Sequence, residues 1–101
     1  MAVIAMFTGR GLTKAMYEAL RREVKWETDL ATGGLVHVCG FDDAGDLHVT
    51  DVWESEVAMN NFLGARLMPA LSKLGIPTPT VSLIELHSLN LHPGSKGYML
   101  G

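Results

Sequence analysis

The sequence predicts an α+β fold of the ferredoxin-like type, with element order strand, helix, strand, strand, helix, strand. Three observations carry this reading. Four short segments rich in β-branched and apolar residues alternate with two stretches of helical periodicity. The 101 residues suffice for one domain and not for two. Hydrophobic residues make up 48% of the chain and charged residues 19%, a composition that folds around a core. The expected architecture is a four-stranded antiparallel sheet with the helices on one face, spanning residues 1–92, followed by a tail over residues 93–101.

Met1 to Thr8 is short and apolar, bounded by Gly9-Arg10-Gly11, and reads as the first strand. Thr13 is placed to cap a helix over residues 14–26. Met16, Tyr17, Leu20 and Val24 form its apolar stripe, opposite Lys14, Glu18, Arg21, Arg22 and Lys25. Gly33-Gly34 punctuates the chain before a second strand, Leu35 to Phe41. Leu47 to Glu54 is the third strand, and Asp42-Asp43-Ala44-Gly45-Asp46 between them suggests a type I turn with Gly45 left-handed. Ser55 can cap a second helix whose apolar side is Met59, Phe62, Leu63 and Leu67. Pro69 has no N–H and clashes with the carbonyl four residues back. A break near Leu67–Met68 is therefore expected, with Pro69 opening a short third helix that Gly75 ends. Thr80 to Leu89 is the fourth strand. In the tail, Tyr98, Met99 and Leu100 either dock on a partner or fray.

Several function classes are excluded on composition. Net charge is −3 with scattered basic residues, which offers no footprint for nucleic acid or an anionic membrane. No apolar run approaches the ~20 residues of a spanning helix, and no leader is visible. Cys39 is the one cysteine, so no internal disulfide forms, and a reducing, cytoplasmic setting is expected. Gly9-Arg10-Gly11 lacks the third glycine of a phosphate loop, and the aspartates at the turn read as turn chemistry rather than a calcium loop. The methionines read as core filling.

Strand four alternates Ile84 and Leu86 with Leu83 and His87, so neither face of the sheet is polar there. The face away from the helices would carry Val36, Val38 and Val52, and an apolar sheet face on so small a protein finds a partner. A homodimer with its two sheets face to face is the expectation.

Particular stretches resemble a known family. They are His37-Val38-Cys39-Gly40-Phe41-Asp42, then Val49-Thr50-Asp51-Val52-Trp53-Glu54-Ser55, then Phe62 and Arg66-Leu67-Met68-Pro69-Ala70-Leu71. These are similar to the dimeric α/β-barrel superfamily, and specifically to small bacterial members grouped with the antibiotic-biosynthesis monooxygenases. The resemblance covers residues 1–92. It implies a homodimeric barrel with a pocket in each subunit between sheet and helices. It also implies a range of chemistries: cofactor-free oxygenation of aromatic polyketides, polyketide cyclisation, haem degradation and lactone isomerisation. The haem-degrading branch carries a strand-one Asn, a strand-three Trp and a histidine ligand on helix two. Trp53 matches the tryptophan, but strand one holds no Asn and Leu63 stands in the histidine register. No cofactor is therefore expected.

The hairpin register places Phe41 opposite Leu47, Cys39 opposite Val49, His37 opposite Asp51 and Leu35 opposite Trp53, all on one face. The resemblance puts Trp53 on the helix-side pocket. His37 and Asp51 then face each other there, about 4.5–5.5 Å apart at Cβ. A carboxylate beside an imidazole fixes its tautomer and stabilises its protonated form, which makes a general base. Trp53 offers a flat wall for a small aromatic molecule, Tyr17 a donor to a developing oxyanion, and Phe62 and Cys39 further lining. The alternative for the pair is mutual satisfaction inside a core, without chemistry. For Cys39 a small buried hydrophobe is the better reading. A metal set of His37, Asp51 and His87 lacks local ligand spacing, and no metal is expected.

Overall fold

The computed structural model describes residues 1–99. Its elements are β1 (Val3–Gly9), α1 (Lys14–Val24), β2 (Gly34–Phe41), β3 (Leu47–Trp53), α2 (Glu56–Phe62), α3 (Met68–Leu74) and β4 (Thr80–Glu85). A π-helical turn, Leu63–Leu67, joins α2 to α3, and a 3-10 segment covers Pro93–Tyr98. The strands form one antiparallel sheet in the order β2-β3-β1-β4, the ferredoxin-like arrangement. Side chains alternate across that sheet. Ala5, Phe7, Leu47, Val49 and Trp53 point toward the helices and join Leu12, Leu20, Val24, Met59, Leu71 and Ile76 in one buried core. Val52 is also buried but faces the other way, outside that core.

Local chemistry sets the element ends. Thr13 Oγ1 accepts from the Met16 N–H at 3.3 Å and Ser55 Oγ from the Ala58 N–H at 3.0 Å, so both expected N-caps form. Gly45 takes φ +84°, and the Asp42 N–H donates to the Asp46 carbonyl at 3.1 Å, closing the hairpin as expected. Gly33 also lies in the left-handed region, at φ +83°. A Cβ there would sit 2.6 Å from that of Ala58, so only glycine lets the start of β2 pass this close to α2.

Several features differ from the sequence reading by more than a single terminal residue. The first helix stops at Val24 rather than residue 26, because Lys25 turns left-handed at φ 61°. Leu35 does not pair with Trp53: a bulge makes Gly34 the partner, and Leu35 is left 46% exposed. No break occurs near Leu67–Met68. The helical path continues through the π turn, with the Met68 N–H bonded to the Leu63 carbonyl, and Pro69 follows directly after it at the start of α3. The fourth strand ends at Glu85 rather than Leu89, since β1 begins at Val3 and the last rung is the Leu86 N–H to the Ala2 carbonyl. In the tail Tyr98 and Met99 are exposed, and Leu100 lies outside the described residues.

Candidate functional site

The hairpin sets the register of β2 and β3, and His37 lies opposite Asp51. His37 Nδ1 stands 2.7 Å from Asp51 Oδ1. Trp53, one side-chain step further along the same face, donates its indole N–H to Asp51 Oδ2 at 3.3 Å. Each carboxylate oxygen thus has a nitrogen donor, the pattern of an acceptor-only carboxylate. Nδ1 therefore carries the imidazole proton and Nε2 presents its lone pair. Tyr17, from the buried stripe of α1, brings its hydroxyl to 2.7 Å from Nε2. Burial, with Cys39 next in effect, pushes the Tyr17 phenol well above the ordinary tyrosine range. With the imidazole proton on Nδ1, Nε2 offers only a lone pair, so the Tyr17 hydroxyl donates and Nε2 accepts. The result is a directed line of hydrogen bonds, Tyr17 to His37 to Asp51, with Trp53 bracing the carboxylate from behind.

Burial falls along that line. Asp51 is the one charged side chain buried among the described residues, at 8% exposure, and Trp53 is 4% exposed. The His37 side chain is 36% exposed because β2 is an edge strand. Cys39 lies half-buried on the same face, and burial raises its thiol above the usual range. Phe62 does not reach the imidazole. It packs on Trp53 at 5.3 Å between ring centroids, with the Arg66 guanidinium 5.2 Å from the centroid of its ring. His87 lies past the end of β4 and is exposed, away from the pair. His48 sits at the hairpin tip, bonded to Asp42 Oδ2 at 2.8 Å.

Sequence reasoning missed Trp26. Its ring lies 5.3 Å from the imidazole of His37 and 5.5 Å from the phenol of Tyr17. Read as the last residue of a helix, it had no assigned direction. The left-handed Lys25 turns it back over β2, and Lys25-Trp was the only local signal. Arg66 was a second omission. Its Nη2 donates to the carbonyls of Val24 and Asp29, at 2.8 and 2.7 Å, and pins the loop that carries Trp26. Two clefts of about 340 and 360 Å³ open beside α1, and His37 lines neither. Among the described residues no group of three or more His, Cys, Asp or Glu is arranged to hold a metal ion.

No family model matches the chain, and no curated protein matches it. Solved structures do. A candidate antibiotic biosynthesis monooxygenase from Chloroflexus aurantiacus superposes with TM-score 0.65 at 16% identity, over 89% of this chain and 97% of that one. SnoaB, a cofactor-independent oxygenase from Streptomyces nogalater, superposes with TM-score 0.62 at 14% identity, over 87% and 94%. A protein of unknown function from Nitrosomonas europaea gives TM-score 0.63 at 14% identity, over 92% and 94%. The chain has the same ferredoxin-like fold as these structures. At such identities the likeness is one of fold, and chemistry must be argued from the side chains. No helix among the described residues is long and apolar enough to cross a membrane.

Proposed function

We propose that the protein is a cofactor-independent enzyme that removes a proton from an activated carbon of a small aromatic or polyketide-like molecule, in a monooxygenase- or cyclase-type reaction. His37 is the general base and Asp51 its orienting partner. The observation that carries this reading is the line Tyr17–His37–Asp51, with both hydrogen bonds at 2.7 Å and the carboxylate buried.

Substrate displaces the Tyr17 hydroxyl from Nε2, and Nε2 takes the acidic hydrogen. The imidazolium that forms is stabilised by Asp51 through Nδ1–H. Tyr17, still protonated, donates to the oxyanion that develops on the conjugated carbonyl. The carbanion then adds dioxygen, or attacks an internal carbonyl and closes a ring. SnoaB, a cofactor-independent oxygenase of the same fold, is consistent with the first outcome. The proposal includes a homodimer through the open sheet face, where Met6, Val38 and Ile84 are exposed, working in the cytoplasm.

The test is enolisation of an activated aromatic ketone, followed by absorbance, together with oxygen uptake. His37→Ala is expected to lower the rate roughly a hundredfold or more while the fold persists. Asp51→Asn is expected to lower it too, by presenting the wrong tautomer. Equal rates in parent and His37→Ala would remove the base. A second reading, a non-catalytic ligand-binding or structural module, has its own observation. Trp53 from the sheet and Phe62 and Leu71 from the helices fill the space between the two layers, and neither large cleft reaches His37. No turnover in the parent with any enolisable aromatic ketone would favour that reading.

A further inference from the structure

The tryptophan that the sequence nominates as a ligand wall is poorly placed to be one. Trp53 is 4% exposed, its indole N–H is engaged by Asp51, and Phe62 closes on its ring. A molecule reaching His37 from that side would have to displace core. The accessible approach is the edge of the sheet, where the partly exposed His37 meets Trp26. The Trp26 ring is only half-buried, and it is inclined at 48° to the imidazole and 49° to Tyr17. Phe41 meets Tyr17 edge-on at 6.0 Å, which extends the aromatic lining along β2.

Trp26 is also held in place. The left-handed Lys25 reverses the chain, the Thr28 and Asp29 N–H groups donate back to the Lys25 carbonyl, and Glu27 is ion-paired with Arg21. Arg66, from the π turn, ties the Val24 and Asp29 carbonyls together. A rigid indole beside a hydrogen-bonding imidazole is a recognition element for a flat ring bearing a polar hydrogen, because stacking and hydrogen bonding then act on the same molecule.

We propose that Trp26 is the specificity-determining wall of this site: ligands enter at the β2 edge and stack on its indole. The preferred ligands are planar aromatics that carry an acidic hydroxyl or an enolisable carbonyl. The choice of acidic or enolisable groups rests on His37 being the base. The stacking wall does not.

The test compares lawsone, a planar hydroxynaphthoquinone, with dimedone, an enolisable but non-aromatic diketone, by calorimetry on the full chain. Parent protein is expected to bind lawsone with quenching of tryptophan fluorescence. Trp26→Ala is expected to weaken lawsone roughly tenfold and to leave dimedone unchanged. Trp26→Phe, which keeps a ring, is expected to retain most of the affinity and to lose the quenching, since the remaining tryptophan is the buried Trp53. Lawsone binding unchanged in a folded Trp26→Ala variant would overturn the proposal, as would no lawsone binding by the parent. His37→Ala separates the two claims. If it still enolises substrate while Trp26→Ala loses lawsone, the base fails and the wall stands. If His37 is needed for turnover and Trp26→Ala binds normally, the wall fails and the base stands.

Discussion

The direction of the hydrogen bonds is set at Asp51, whose two oxygens accept from His37 and Trp53, and burial holds the phenolic proton of Tyr17 at the other end. A phenol that donates makes Nε2 the acceptor, and a doubly solicited carboxylate makes Nδ1 the donor. Tyr17→Phe keeps the imidazole–carboxylate pair but removes the donor to the oxyanion. Turnover is expected to fall about a hundredfold with little change in substrate affinity, read as a drop in kcat at similar KM. Cys39 is governed by the same burial. Its raised thiol is expected to react with iodoacetamide more slowly than free cysteine at mildly alkaline pH, and a rate equal to that of free cysteine would contradict the assignment.

At the scale of elements, the β2–β3 hairpin does most to build the site, because one turn fixes which side chains face one another. Its Asp42 carboxyl lies below the usual carboxylate range, first through the hydrogen bond from His48, then through the Asp46 and Ala44 N–H groups. A folded value below the unfolded one gives a contribution that is complete above about pH 4 and is lost as pH falls through the folded value. Asp42→Asn is therefore expected to flatten the acid-side fall in Tm while lowering Tm near neutrality. Ser55→Ala, which removes the cap of α2, is expected to cost about 1 kcal/mol in denaturant unfolding. The hairpin register and both caps were legible because Gly45, Thr13 and Ser55 act through neighbours within a few residues. The bulge at Leu35 was not legible, since it depends on Gly33 and Gly34 fitting against α2 and Trp53. The π turn was missed because Pro69 announces a lost hydrogen bond without saying whether the helix breaks or widens. Trp26 was missed because its direction depends on a left-handed lysine and on Arg66, which is distant in sequence.

For the whole molecule, strand order and layer arrangement follow from element order and alternation, which is why the fold was readable while its structural neighbours share only 12–18% identity. The open sheet face is the remaining large-scale feature. Met6, Val38 and Ile84 are 37%, 57% and 51% exposed there, and a contiguous apolar face of this kind favours a partner. Sedimentation at micromolar concentration is expected to give a dimer, and Val38→Glu combined with Ile84→Glu a folded monomer. A monomeric parent would show that the face stays uncovered. The same double variant is expected to keep the Tyr17–His37–Asp51 line, which lies on the opposite side of the sheet.

The most direct measurement on that line is the nitrogen NMR spectrum of histidine-labelled protein, with His37 assigned by its loss in His37→Ala. The neutral His37 ring is expected as the Nδ1–H tautomer with Nε2 unprotonated, and Asp51→Asn is expected to abolish that preference. A neutral Nε2–H tautomer in the parent would contradict the account, because the atom assigned to take the substrate's proton would already hold one.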